Sequence, residues 1–120
     1  MKATDKARIE LDASSWVLVL EFYEALLDVL DAPAWHGRNL NALLDTMIWS
    51  DDINGLKQPY EIVIKNLGGA TQEVREEADL VVRVFAETRR EYDVTAALEK
   101  GRPCEANLTV DEETRGRLRG

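Results

Sequence analysis

The residues best suited to chemistry or recognition crowd together between positions 35 and 45. Trp35, His36, Arg38, Asn39, Asn41 and Asp45 bring aromatic surface, hydrogen-bonding groups and charge into one short stretch. His36 is the only histidine, which excludes a His-pair metal site and leaves a single imidazole for acid–base work. Flanked by Trp35 and Gly37 in a loop, it reads better as a surface or contact residue than as a catalyst. None of Ser14, Ser15 or Ser50 lies in a nucleophile-elbow pattern. Gly68-Gly69 has the position of a phosphate loop but not its further glycines or the following Lys-Ser or Lys-Thr, so it reads as a turn. The carboxylate pairs Asp51-Asp52 and Glu76-Glu77 lie in charge-rich, solvated segments. Cys104 is a lone cysteine, which cannot form an internal disulfide. No catalytic residue, metal ligand or cofactor-binding residue is therefore expected. Aromatic and arginine side chains anchor protein interfaces, and a carboxylate held among them can enter a basic pocket. Equally, Trp35 could cover the core edge, Asn39 could simply cap a helix and Asp45 could be a solvated helix residue. Spacing alone supports both.

The pattern of apolar residues says what holds this stretch. Arg8-Ile9-Glu10-Leu11-Asp12 alternates as a strand. After Ser15, a candidate N-cap, Val19, Phe22, Tyr23, Leu26, Leu27 and Leu30 recur at helical spacing to about Asp31, and Pro33 ends the helix. A second helix follows Gly37 with Asn39 as its cap. Leu40, Leu43, Leu44, Met47 and Ile48 form its buried stripe, and Asn41, Asp45 and Trp49 form a different one. Residues 50–58 read as a turn-rich loop, and Tyr60-Glu61-Ile62-Val63-Ile64-Lys65 as a strand buried on both faces. Val74, Ala78, Val81 and Phe85 predict a long helix from Thr71 to Glu91, with room for a break at Ala78. Asp93-Val94-Thr95-Ala96-Ala97-Leu98 reads as a third strand, and Thr109-Val110-Asp111-Glu112 as a capping box for one short helix. Strands joined through helices favour parallel pairing. The expectation is one α/β domain over residues 1–100, a three-stranded parallel sheet packed by helices, with a polar extension over 101–120.

At 120 residues, 45% of them apolar, the chain can bury a core without disulfide or metal staples. Fifteen basic residues against 23 acidic ones give a net charge of −8, which repels nucleic acid phosphates and suits a basic protein partner. No apolar run approaches a membrane span, and no leader pattern is evident, so a cytoplasmic monomer is expected.

The segment Pro33-Ala34-Trp35-His36-Gly37-Arg38-Asn39-Leu40-Asn41-Ala42-Leu43-Leu44-Asp45 resembles the signature of the barstar family of ribonuclease inhibitors. Weaker similarity runs through Phe22-Tyr23-Glu24-Ala25-Leu26, Pro59 and the strand after it, Val84-Phe85-Ala86-Glu87 and Asp93-Val94-Thr95. The resemblance implies a protein that blocks the active site of a basic ribonuclease or nuclease toxin. It implies contacts through Trp35, Gly37, Asn39, Leu40, Asp45 and Glu87, with Asp45 standing in for an RNA phosphate. His36, Arg38 and Asn41 belong to the same surface. The chain departs from the family in three ways. Asn41 stands where an aspartate is usual, His36 and Leu44 replace aromatic residues, and the loop over 50–58 is longer. An interaction module with a target other than a ribonuclease is the second reading.

Overall fold

The computed structural model describes residues 7–49 and 53–111. The expectations placed on residues 1–6, on Ser50 to Asp52 and on 112–120 lie outside the described residues. Three parallel strands, β1 (Ala7–Asp12), β2 (Tyr60–Lys65) and β3 (Ala106–Val110), form one sheet with β2 in the centre. Helix α1 spans Val19–Val29 and helix α2 spans Leu40–Leu44, continuing over Asp45–Trp49 in wider i→i+5 turns. After β2 come α3 (Gln72–Glu91), a second widened stretch (Tyr92–Ala96) and α4 (Ala97–Lys100). This is the expected α/β domain, a three-stranded parallel sheet packed by helices.

The core lies on one face of the sheet. Tyr60, Ile62, Ile64, Ala106, Leu108 and Val110 point into it and are buried against Phe22, Leu26, Met47, Val81 and Phe85. The opposite face carries Arg8, Glu10, Glu61 and Lys65, linked by ion pairs of 3.0 to 3.6 Å. Val63 sits on this polar face. It is buried but stands apart from the core cluster, so the double burial read for β2 comes from its flanking side chains rather than from a second helical layer.

Two helix starts show how the sequence sets the ends. Trp16 is buried against Phe22, with ring centroids 5.8 Å apart, and this holds the chain extended through Leu18. The N-cap is therefore Leu18 rather than Ser15. Glu21 reaches back to accept the N–H groups of Val17 (2.7 Å) and Leu18 (2.9 Å). Those bonds hold the Glu21 carboxyl below the usual carboxylate range. The stabilisation is present above that range and is lost as pH falls through the lowered value. Thr71 caps α3 by accepting from Val74 N–H, and the helix runs unbroken through the fully buried Ala78. Tyr23, buried on α1, donates to Glu77 on α3 and ties the two helices together. Burial and that bond together keep its hydroxyl protonated above the ordinary range.

The third strand is corrected. Residues 93–98 are helical: Tyr92 and Ala96 bury one side of the turn, Thr95 donates to Glu91 O (2.9 Å), and Val94 and Leu98 face outward. The strand is Ala106–Val110, inside the segment expected to be a polar extension, and Thr109-Val110 belongs to it instead of opening a helix. Both stretches alternate and both offer one Val, one Ala and one Leu at alternate positions, but only Ala106, Leu108 and Val110 come to lie beside Tyr60, Ile62 and Ile64 and are buried there. A pair of substitutions separates the two assignments. Leu108→Ala, at 3% exposure, should cost about 2–5 kcal/mol in urea unfolding, and Leu98→Ala, at 82% exposure, less than about 0.5 kcal/mol.

Candidate functional site

The stretch from residue 31 to residue 49 is pinned at both ends before any of its side chains reaches solvent. Asp31 takes a left-handed φ of 54° just past α1 and reverses the chain. The loop before β2 then closes on it, Gly55 N–H donating to Asp31 O (2.9 Å) and Leu56 N–H to Leu30 O (3.0 Å). A Cβ on Gly55 would lie 1.9 Å from the Asp31 carboxylate, so this close approach requires glycine.

Within the loop, His36 N–H donates to Pro33 O (3.0 Å), and the His36 side chain turns inward to 5% exposure. Its Nδ1 lies 2.8 Å from Gly37 O and its Nε2 lies 2.7 Å from Thr46 Oγ1. A carbonyl can only accept, so Nδ1 carries the proton, and in the neutral ring Nε2 accepts from the Thr46 hydroxyl. The ring therefore fastens the loop to the first widened turn after α2. This changes the expected role of His36. It is a buried joint instead of an exposed side chain, because facing inward lets Nε2 reach the buried Thr46 hydroxyl while Nδ1 bonds to the adjacent carbonyl. Its partner Thr46 is also buried and is a functional residue that the sequence alone does not single out. Local pattern does not mark it, because Thr46 falls between the stripe positions Leu44 and Met47, beside the likewise polar Asp45.

Trp35 lies over the outer side of this joint. It is 75% exposed and nearly parallel to the His36 ring, with an interplanar angle of 16° and centroids 6.5 Å apart. Asn39 is the N-cap of α2, its Oδ1 accepting from Ala42 N–H (2.9 Å) and its backbone carbonyl from Leu43 N–H (3.0 Å). Gly37 packs beneath that cap, where a Cβ would come within 3.1 Å of Asn39 Nδ2. Arg38 is exposed and pairs with Glu24 on α1 at 3.3 Å, a solvent-screened contact of small energetic weight. Leu40 is half-buried against the core, and Leu43, Leu44, Met47 and Ile48 hold α2 and its continuation down, as expected.

Asn41 and Asp45 are both exposed, one turn apart, with Asp45 where the helix widens. The next member of that stripe, Trp49, turns inward and meets Tyr92 edge-on at 5.1 Å. Glu87 is exposed on the last turns of α3, the helix against which α2 packs and which leads into Tyr92. The sequence-predicted residues thus divide. Trp35, Asn41, Asp45 and Glu87 are presented outward, Asn39 is exposed while capping, Gly37 and Leu40 shape the backbone and its packing, and His36 is internal. An open groove of about 600 Å³ runs between α1 and this loop, lined by Trp16, Glu24, Asp28, Pro33, His36 and Arg38. Its one imidazole has both nitrogens engaged. Among the described residues no group of three or more His, Cys, Asp or Glu side chains could hold a metal ion, and no helix is long and apolar enough to cross a membrane.

The family model for barstar, described as the barnase inhibitor, matches residues 7–109. The chain belongs to the barstar family. Comparison with curated proteins finds no match. The match ends at Thr109, within β3, so the family's extent takes in the true third strand and the helical turns of residues 92–100 before it. The barstar resemblance of the 33–45 signature corresponds to a loop and helix fastened from inside by His36 and Thr46. Thr46→Val, which keeps the shape and removes the hydroxyl, leaves His36 Nε2 without its buried partner. Urea unfolding should record a loss of about 1–3 kcal/mol.

Proposed function

We propose that this protein inhibits a basic ribonuclease or nuclease toxin by seating the segment from Trp35 to Asp45 over the enzyme's active site, acting in the cytoplasm and not as an enzyme itself. The observation that carries the reading is Asp45. It is an exposed carboxylate on a helix whose inner face is fully packed and whose leading loop is locked by a buried hydrogen-bonded ring. A site that holds an RNA backbone concentrates Arg, Lys and His, and a carboxylate presented without rotational freedom of its helix can replace a phosphate there. Trp35 supplies a large apolar surface at the rim, and Glu87 on the adjacent helix supplies a second anionic contact. The net charge of −8 would speed encounter with a cationic enzyme. Membership of a family described as barnase inhibitors supports the same direction.

A specific feature favours keeping a different target in view. Asn41 is exposed beside Asp45 and keeps the hydrogen-bonding shape of the family's usual aspartate without its charge. A partner matched to this surface would offer one fewer cation there, or a polar group in its place.

Inhibition of RNA cleavage and calorimetric binding, with barnase and other small basic ribonucleases, test the reading. Asp45→Ala should weaken binding by at least about 2 kcal/mol, roughly thirty-fold in Kd, which is the general hot-spot threshold and not the larger value known for the barnase–barstar pair itself. An unchanged Kd removes Asp45 from the mechanism. Asn41→Asp should tighten binding to barnase by about tenfold, because it restores an anion facing a cationic site.

A further inference from the structure

An open sheet leaves two edges, and this protein treats them differently. Ala7 N–H donates to Pro59 O (3.3 Å) and Ala13 N–H to Lys65 O (2.8 Å), so the odd-numbered residues of β1 turn their backbone groups toward β2. Arg8, Glu10 and Asp12 consequently turn theirs outward. On the far side, Tyr60 N–H donates to Glu105 O (3.1 Å) and Asp111 N–H to Ile64 O (3.0 Å), which leaves Ala106, Leu108 and Val110 facing out from β3. There α3 packs alongside, and Arg89 donates to Ala106 O at 2.9 Å, covering part of that edge. Among the described residues no strand pairs with the outer edge of β1.

We propose that the β1 edge is a self-association surface, paired antiparallel with β1 of a second copy of this chain about a two-fold axis through Ile9. This goes beyond the ribonuclease reading and uses none of its residues. Three features select the occupant and the register. Antiparallel pairing through a two-fold closes on itself, whereas parallel pairing of identical edges would not. With Ile9 on the axis, Arg8 of each copy lies opposite Glu10 of the other, and both have outward backbone groups, so each pair exchanges two N–H···O bonds. Their side chains are of opposite charge, exposed and on the same polar face. Sliding by one permitted step sets Glu10 against itself, a like-charge pair that disfavours that register. On the other face Ile9 meets Ile9, and Ala7 meets Leu11. Leu11 already packs against the core, but Ile9 is half-buried and stands outside it, so this contact completes its burial. An edge of uniform charge would block such pairing, and the alternation of Arg8 and Glu10 does the reverse.

The pairing buries a small area, so the association is weak, and the net charge of −8 on each copy makes it tighter when salt screens the mutual repulsion. Sedimentation of the full chain from about 10 µM to about 1 mM at physiological salt should show the mass rising from 13.6 kDa toward the dimer. Amide exchange by NMR should show Arg8 and Glu10 gaining protection with concentration, while Ile9 and Leu11 stay protected throughout. R8E places like charges opposite each other and should return the chain to a monomer, with far-UV circular dichroism reporting that it is folded. A single-chain mass across the whole range overturns the proposal. So does a dimer whose Arg8 and Glu10 amides exchange as fast as in dilute solution, or a folded R8E that still dimerises.

Discussion

The bond pair that clamps the His36 ring, one nitrogen on Gly37 O and the other on Thr46 Oγ1, is the constraint on which the recognition surface depends. Without it, the loop from Pro33 to Arg38 would be a surface connection free to sample many conformers, and each partner contact would have to order it afresh. With it, the indole of Trp35 rests on a fixed ring, Gly37 lies beneath the Asn39 cap and the first turn of α2 starts at a defined point. The bond to Thr46 is buried, so water does not compete for it, and leaving Nε2 unpaired would carry the desolvation cost of a buried polar group.

The widening of the helix after Leu44 belongs to the same arrangement. In a regular α-helix Asn41, Asp45 and Trp49 would form one continuous exposed stripe. The i→i+5 turns over Asp45–Trp49 rotate its end, so Asp45 stays outside while Trp49 turns in to meet Tyr92. Thr46 is carried to the buried side, where it reaches His36. Recognition and packing are thereby divided between neighbouring residues of a short segment. Tyr92 in turn opens the widened stretch after α3, so the two helices bearing Asp45 and Glu87 are tied where both depart from regular geometry.

The sheet contributes through its asymmetry. One face is apolar and packs against residues of α1, of α2 with its continuation and of α3, and the other is a network of Arg8, Glu10, Glu61 and Lys65. Among the described residues a helix covers part of the β3 edge. Placing the core on one side leaves β1 with a polar face, and among the described residues no strand pairs with its outer edge. That combination makes the strand a different surface from the one built around Asp45.

Much of this was legible in the order of residues. Helical periodicity located α1, α2 and α3 almost to their ends, the apolar centre of Tyr60–Lys65 marked the middle strand, and Asn39 was readable as a cap because a short side-chain acceptor is what unpaired N–H groups at a helix start need. The 33–45 signature pointed to a barstar-like surface only through its resemblance to that family, carried by Pro33, Trp35, Gly37, Asn39, Leu40, Ala42, Leu43 and Asp45, since spacing alone left recognition and capping equally open. Local pattern could not place the third strand, since Asp93–Leu98 and Ala106–Val110 both alternate and only packing against Ile62 and Ile64 distinguishes them. Nor could it assign His36, whose sequence neighbours are those of a loop and whose partner Thr46 lies on the next helix. Short-range periodicity is a property of the chain and was decided by sequence. Burial, edge exposure and the pairing of polar groups depend on which distant segments meet, and the tertiary structure alone decided them.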